Sequence, residues 1–156
     1  MASVKVDFSS AIGQIGEFSK AGAKIAAEEL KKEIVIEISE GRSPVKSQGG
    51  RFQGYSPTYK TAIDNGRYSN LNKRKRPVNL KLTGRLLRSI FSDVISSSKI
   101  RIGFADQLAD IHNREGAGKS KVVRRMLPTN QGETFTDTIL FRVGTKLSRL
   151  AKKIFR

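Results

Sequence analysis

Between residues 12 and 34, small or apolar side chains recur at 12, 15, 18, 22, 25, 26, 30 and 34. Steps of three and four are the signature of one helix face, and this stripe constrains the fold more than any other feature. It predicts a helix over 9–40, roughly 45 Å long at ~1.5 Å per residue. Ser9 or Ser10 would cap it, and Gly41 would stop it. Gly13, Gly16 and Gly22 weaken its first half. Ile34, Ile36 and Ile38 alternate, a pattern that also suits a strand over the last few residues. So long a stripe needs a cover, either the chain's own sheet or a partner helix. The first is the commoner use of an amphipathic helix.

The rest of the chain offers that cover. Val4, Val6 and Phe8 alternate with Lys5 and Asp7, a strand or arm within 1–8. Residues 90–95 and 99–104 read as a hairpin turning at Ser96, Ser97 and Ser98. Ser56 followed by Pro57 starts a short helix over 57–64. Thr83 is a candidate cap for a helical turn through Leu86, Leu87 and Ile90, and Asp106 for another through Leu108 and Ile111. Residues 41–56, 65–79 and 113–121 read as loops, the second exposed and mobile, and 122–127 as extended chain. Thr136 or Asp137 opens a last helix with Ile139, Leu140, Val143, Leu147, Leu150, Ala151 and Ile154 on one face. The expectation is one α+β domain over 1–156. A long N-terminal helix packs on a small antiparallel sheet, with a loop-rich basic region at 41–79, a helix turn, hairpin and loop at 80–134, and a C-terminal helix at 135–156.

Charge bears on partners. Thirty Lys and Arg against 14 Asp and Glu leave a net charge of +16. Such an excess favours polyanions, nucleic acid above all, without specificity. It is unevenly spread: 9–40 holds six glutamates, whereas 41–92 holds twelve Lys or Arg and one acid, Asp64. The densest run is Lys73, Arg74, Lys75 and Arg76, read as a contact for DNA or an acidic partner. Tyr55, Tyr59 and Tyr68 are near it in sequence but not interleaved with it as stacking platforms would be.

The signals for chemistry are thin. Without cysteine there is no disulfide, thiolate metal site or thiol nucleophile. GAGKS at 116–120 resembles the end of a phosphate-binding loop, but Asn113 stands where the motif needs glycine, and the reading is an ordinary loop. His112, beside Asp110 and Glu115, reads as a helix-end histidine bonded to backbone or to a neighbour rather than half of an acid–base pair. The expectation is no catalytic, cofactor or metal site. MASVKVDF lacks the basic start and apolar core of a signal peptide, and no apolar run suits a membrane span, so cytoplasmic synthesis is expected.

Three segments carry a resemblance: GRSPVKSQGGRFQGYSPTYKTAI at 41–63, LKLTGRLLRSI at 80–90 and IRIGFADQLADIHNREG at 100–116. In this order they resemble the tail-completion, head–tail connector and minor tail proteins of tailed bacteriophages. The middle phrase, with Leu82, Thr83, Gly84, Arg85, Leu86, Ser89 and Ile90, is the strongest match. Arg125-Met126-Leu127-Pro128 stands where an Arg-Pro-Phe phrase is often found. The resemblance implies a structural virion subunit of the neck or tail, not an enzyme, made in the host cytoplasm. It also implies a six- or twelve-fold homo-oligomeric ring touching a connector, tail terminator or tail tube, with packaged DNA as a non-specific contact and no membrane. The rival reading from charge alone is a sequence-independent nucleic-acid-binding protein.

Overall fold

The computed structural model describes residues 2–7, 20–69, 73, 76, 78, 80, 84–119, 121–129 and 132–154. The chain is α+β. Strand β1 (Ala2–Asp7) precedes helix α1 (Lys20–Ser39), helix α2 (Pro57–Asp64), the single turn α3 (Arg85–Arg88), and strands β2 (Ile90–Val94) and β3 (Lys99–Phe104). Helix α4 (Leu108–Asp110) runs on as a π-helical turn over Ile111–Glu115, and α5 (Asp137–Ile154) follows.

The three strands form one antiparallel sheet in the order β1-β3-β2. Central β3 shows why: Ile100, Ile102 and Phe104, two residues apart on one face, are fully buried, while Lys99 and Arg101 are exposed. Val4 pairs with Ile102, and Ile90 with Phe104. Helix α1 covers β2 and β3, with α5 packed against it. Ala23, Ala26, Ala27, Leu30, Ile34 and Ile38 of α1 join Ile139, Val143 and Leu147 of α5 in the core.

The long helix begins at Lys20 among the described residues; the rest of the expected 9–40 span, and Phe8, lie outside them. The strand option for its end is overturned. Ile34 and Ile38, one turn apart, are fully buried, whereas Ile36 between them is 41% exposed. A strand would place all three on one face. Leu140 is likewise partly exposed rather than in the core.

The segments read as loops are more deeply built in than expected. Ser43 donates to the Arg125 carbonyl at 2.7 Å, Val45 bridges to Phe135, and Val45 and Phe52 are buried. Val78 and Leu80 are also buried, so the expected exposed loop reaches the core. The 122–127 stretch, expected to be extended, joins no sheet among the described residues, and Val122 makes an isolated bridge to Ala117. Asn113 holds it instead, its Oδ1 accepting from the amides of Met126 and Leu127 and its Nδ2 donating to the Leu127 carbonyl at 3.1 Å. A buried amide side chain thus satisfies backbone groups that no strand satisfies.

Short helix α2 matches its expected bounds. Pro57 occupies the first turn, and the Ser56 hydroxyl accepts from the Tyr59 amide at 3.4 Å. The Asp106 carboxylate accepts from the Leu108 amide at 3.0 Å, as a cap should. Thr83 lies outside the described residues; Gly84 precedes α3 with φ 78° and no side-chain cap, a left-handed conformation that glycine adopts freely.

Candidate functional site

Two regions concentrate charge. In the first, Glu29, Glu33 and Glu37 follow one another by one turn of α1 and face Arg142 and Lys146 of α5. Lys146 Nζ donates to Glu29 at 2.7 Å and Glu33 at 3.0 Å; Arg142 donates to Glu33 at 3.2 Å and Glu37 at 3.3 Å. Glu37 also accepts two bonds from Arg42 at 2.5 and 3.0 Å. Glu33 and Glu37 are only 4% and 5% exposed. The Arg42 guanidinium, with Arg142 behind it, holds the Glu37 carboxyl below its usual range despite burial. Lys146 and Lys32 do the same for Glu29. Because Glu29 meets the later cation and Glu37 the earlier one, the two helices run antiparallel.

The second region is aromatic and basic. Tyr55 and Tyr59 lie 4.9 Å apart between ring centroids, and Tyr59 and Tyr68 5.3 Å apart. The rings form a ladder although their sequence spacing is irregular, because α2 and the turn after it fold Tyr59 and Tyr68 back towards Tyr55. Neither pair is parallel: the ring planes are tilted by 57° and 34°. Lys73 Nζ sits 4.8 Å from the Tyr55 centroid and 6.0 Å from that of Tyr59; Arg124 is 5.4 Å from Tyr55 and Arg67 5.9 Å from Tyr68. These are cation–π distances.

Arg124 is only 4% exposed. Its guanidinium donates to the carbonyls of Gln53 and Gly54 at 3.2–3.3 Å. Its amide donates to the His112 carbonyl at 2.6 Å. Burial and the Arg124 charge pull the Lys73 ammonium down to about 8. Burial, with Arg124 and Lys73 adding to it, pulls His112 down to about 4. Burial also raises the Tyr55 hydroxyl.

The expected basic contact run is therefore split. Lys73 is half-buried over the tyrosines, Arg76 is exposed, and Arg74 and Lys75 lie outside the described residues. His112 lies in the turn that ends α4, as expected, and its Nδ1 is buried without a hydrogen-bond partner among the described residues. The sequence reading missed Arg124, whose role depends on the turn that brings it under Tyr55.

The phrase singled out at 82–90 works as a joint. Leu82 and Thr83 are outside the described residues. Arg85 donates to Asp106 at 2.6 and 3.3 Å, and the Ser89 hydroxyl accepts from the Asp106 amide at 3.3 Å while donating to the Leu86 carbonyl at 2.8 Å. Leu86 is buried and Ile90 begins β2.

Gly116 of the GAGKS stretch has φ 81°, and a side chain there would collide with the Lys121 backbone. Ala117 and Val122 exchange backbone bonds at 2.9 and 3.1 Å. The stretch closes on itself instead of leading into the helix that a phosphate loop requires. Among the described residues, no three His, Asp or Glu side chains gather as metal ligands, and no helix is long and apolar enough to cross a membrane. No family model, curated protein or solved structure matches the chain.

Proposed function

We propose that the protein is a structural virion subunit of a tailed bacteriophage, a neck or tail-completion protein that works in a ring at the head–tail junction. One observation carries the reading. The three segments with the family-like phrases, far apart in sequence, are bonded to one another or to the chain that follows them. Residues 80–90 are clamped to 100–116 through Arg85–Asp106 and Ser89–Asp106. Residues 41–63 are tied to the stretch just beyond 116 through Ser43–Arg125, Gln48–Val123 and Arg124–Gln53. Phrases that build one scaffold are what a resemblance in fold would involve. Partner contact is supported by the outer edges of β1 and β2, which pair with no further strand among the described residues, and by Phe141, 75% exposed on α5. Such surfaces suit the heterologous contacts of a ring.

Electron microscopy of lysates from a phage lacking this gene tests the reading. DNA-filled heads beside separate, complete tails are expected. Normal intact particles would refute it. The second reading, a sequence-independent nucleic-acid-binding protein, is favoured by the tyrosine ladder with its cations, since aromatic rings beside cations are how single strands are held. Steep loss of oligonucleotide binding with salt by the isolated protein would support it.

A further inference from the structure

Several cations among the described residues are matched by carboxylates: Arg42 by Glu37, Arg142 by Glu33 and Glu37, Lys146 by Glu29 and Glu33, Arg125 by Glu133. Lys73 and Arg124 differ. No carboxylate of the described residues pairs with either, and they repel each other across Tyr55. Arg124 has backbone carbonyls to bond. Lys73 has the Tyr55 and Tyr59 rings, and no hydrogen bond of its ammonium to a described residue accompanies them. Ring faces offset part of a cation's lost hydration, but less than an anion would. Beside them His112 keeps a buried, unpartnered Nδ1. The arrangement is positive, partly dehydrated and has no anion among the described residues. The tyrosine ladder leads away from it, from the more buried Tyr55 to Tyr68 with Arg67 over its ring.

We propose that this cluster is a binding site for single-stranded nucleic acid, with a backbone phosphate held by Lys73 above the charge of Arg124 and a neighbouring base resting on the outer tyrosines. Two features select this ligand. The uncompensated cations call for an oxyanion, and the rings call for a planar group that a duplex keeps stacked inside itself. Arg124 is too buried to touch the ligand; it acts as a positioning residue that sets the charge beneath Lys73. The proposal rests on the nucleic-acid-binding reading above and localises it to named residues.

The test uses the full chain, a short fluorescently labelled oligothymidylate, the matching duplex and inorganic phosphate. Anisotropy should show the single strand bound more tightly than the duplex. Lys73→Met and Tyr68→Leu should each weaken single-strand binding about tenfold, the scale of losing one stacked base or one phosphate contact. Lys119→Gln, an equal charge change at an exposed position, should weaken it far less. A second readout is independent of affinity. His112 is the only histidine, so its proton resonances are assigned without labelling, and bound oligothymidylate should move its titration upward from about pH 4. If the strand binds but Lys73→Met and Lys119→Gln weaken it equally and His112 does not respond, the site is wrong while general nucleic-acid binding stands. If no strand binds at all, both fail. If inorganic phosphate moves His112 as far as the oligonucleotide and Tyr68→Leu changes nothing, the nucleic-acid assignment is overturned in favour of free phosphate.

Discussion

Both regions of this molecule bury charge, and they do so in opposite ways. Between α1 and α5, acids and bases alternate so that each buried carboxylate of the ladder has at least one cation within 3.3 Å. Around Tyr55, two cations and a histidine cluster with aromatic rings and carbonyls. The first arrangement satisfies itself and fixes the relative register of two helices. The second is satisfied only in part, a condition that folding alone does not call for. Charge that is paired serves the fold, and charge left without a counter-ion among the described residues is where we propose that a ligand binds.

Breaking the paired region should have the largest effect. Glu33→Ala leaves Arg142 and Lys146 facing each other beside a small cavity at a 4% exposed position. The expected loss is on the order of 3 kcal/mol, at the low end for a broken buried pair because both cations reach solvent. Urea denaturation checks it. A loss below about 0.5 kcal/mol would put the ladder in the same class as ordinary surface pairs.

Acid separates the two regions by pH. The folded chain protonates His112 only near pH 4, whereas an unfolded histidine does so near 6.5. Between those values the unfolded state binds the extra proton, so stability present above pH 6.5 is lost as the pH falls towards 4, by on the order of 3 kcal/mol. Burial of the imidazole is the main cause, and the charges of Arg124 and Lys73 add to it. Glu28, Glu29 and Glu37 have carboxyls held below the ordinary 4.5, so their contribution is present above 4.5 and is lost at lower pH. Denaturation midpoints from pH 7 to 3 should therefore fall in two stages. His112→Gln should flatten the first and leave the second; a single stage unaffected by that change would show that the tyrosine region does not bury its histidine.

Relieving the unpaired region should stabilise it. In the folded chain Lys73 loses its proton near pH 8, against 10.5 for a free lysine, so below pH 8 folding carries the cost of a dehydrated ammonium. Lys73→Met keeps an unbranched apolar stem over Tyr55 and removes the charge. After the lost cation–π attraction, a net gain on the order of 1–2 kcal/mol is expected at pH 7. The gain should fade as the pH rises from 8 towards 10.5, where the unmodified lysine is neutral in both states. A destabilised variant at pH 7 would mean that Lys73 is held by a partner stronger than the rings.

The sequence disclosed these two regions unequally. Periodicity located α1, α5 and the hairpin, because a helix face and a strand face are written in local spacing. Ser56-Pro57 located α2, because a cap is a local device. The glutamates at every fourth position of α1 and the basic residues of α5 were visible, but not that they face each other, since that depends on how the helices cross. The tyrosine ladder was unreadable for the same reason. Tyr55, Tyr59 and Tyr68 share no simple period, and Arg124 arrives from 56 residues beyond Tyr68. Asn113 looked like a loop residue because nothing local shows that its amide stands in for a missing strand.

The smallest expected effect bears directly on that ladder. Tyr68 touches Tyr59 at 5.3 Å and carries Arg67 over its ring, yet it is outside the buried core. Tyr68→Leu removes one aromatic contact and keeps apolar bulk, so stability should change by less than about 1 kcal/mol. Leu86, inside the core, should lose on the order of 3 kcal/mol when cut to alanine. The contrast matters because a ring retained for folding and a ring retained for a ligand look alike in a static structure. If Tyr68→Leu costs as much as Leu86→Ala, the ladder is an extension of the core and its outer ring has no surface to offer. If it costs little, the ring is held in place by a fold that does not depend on it, which is the condition for a stacking surface.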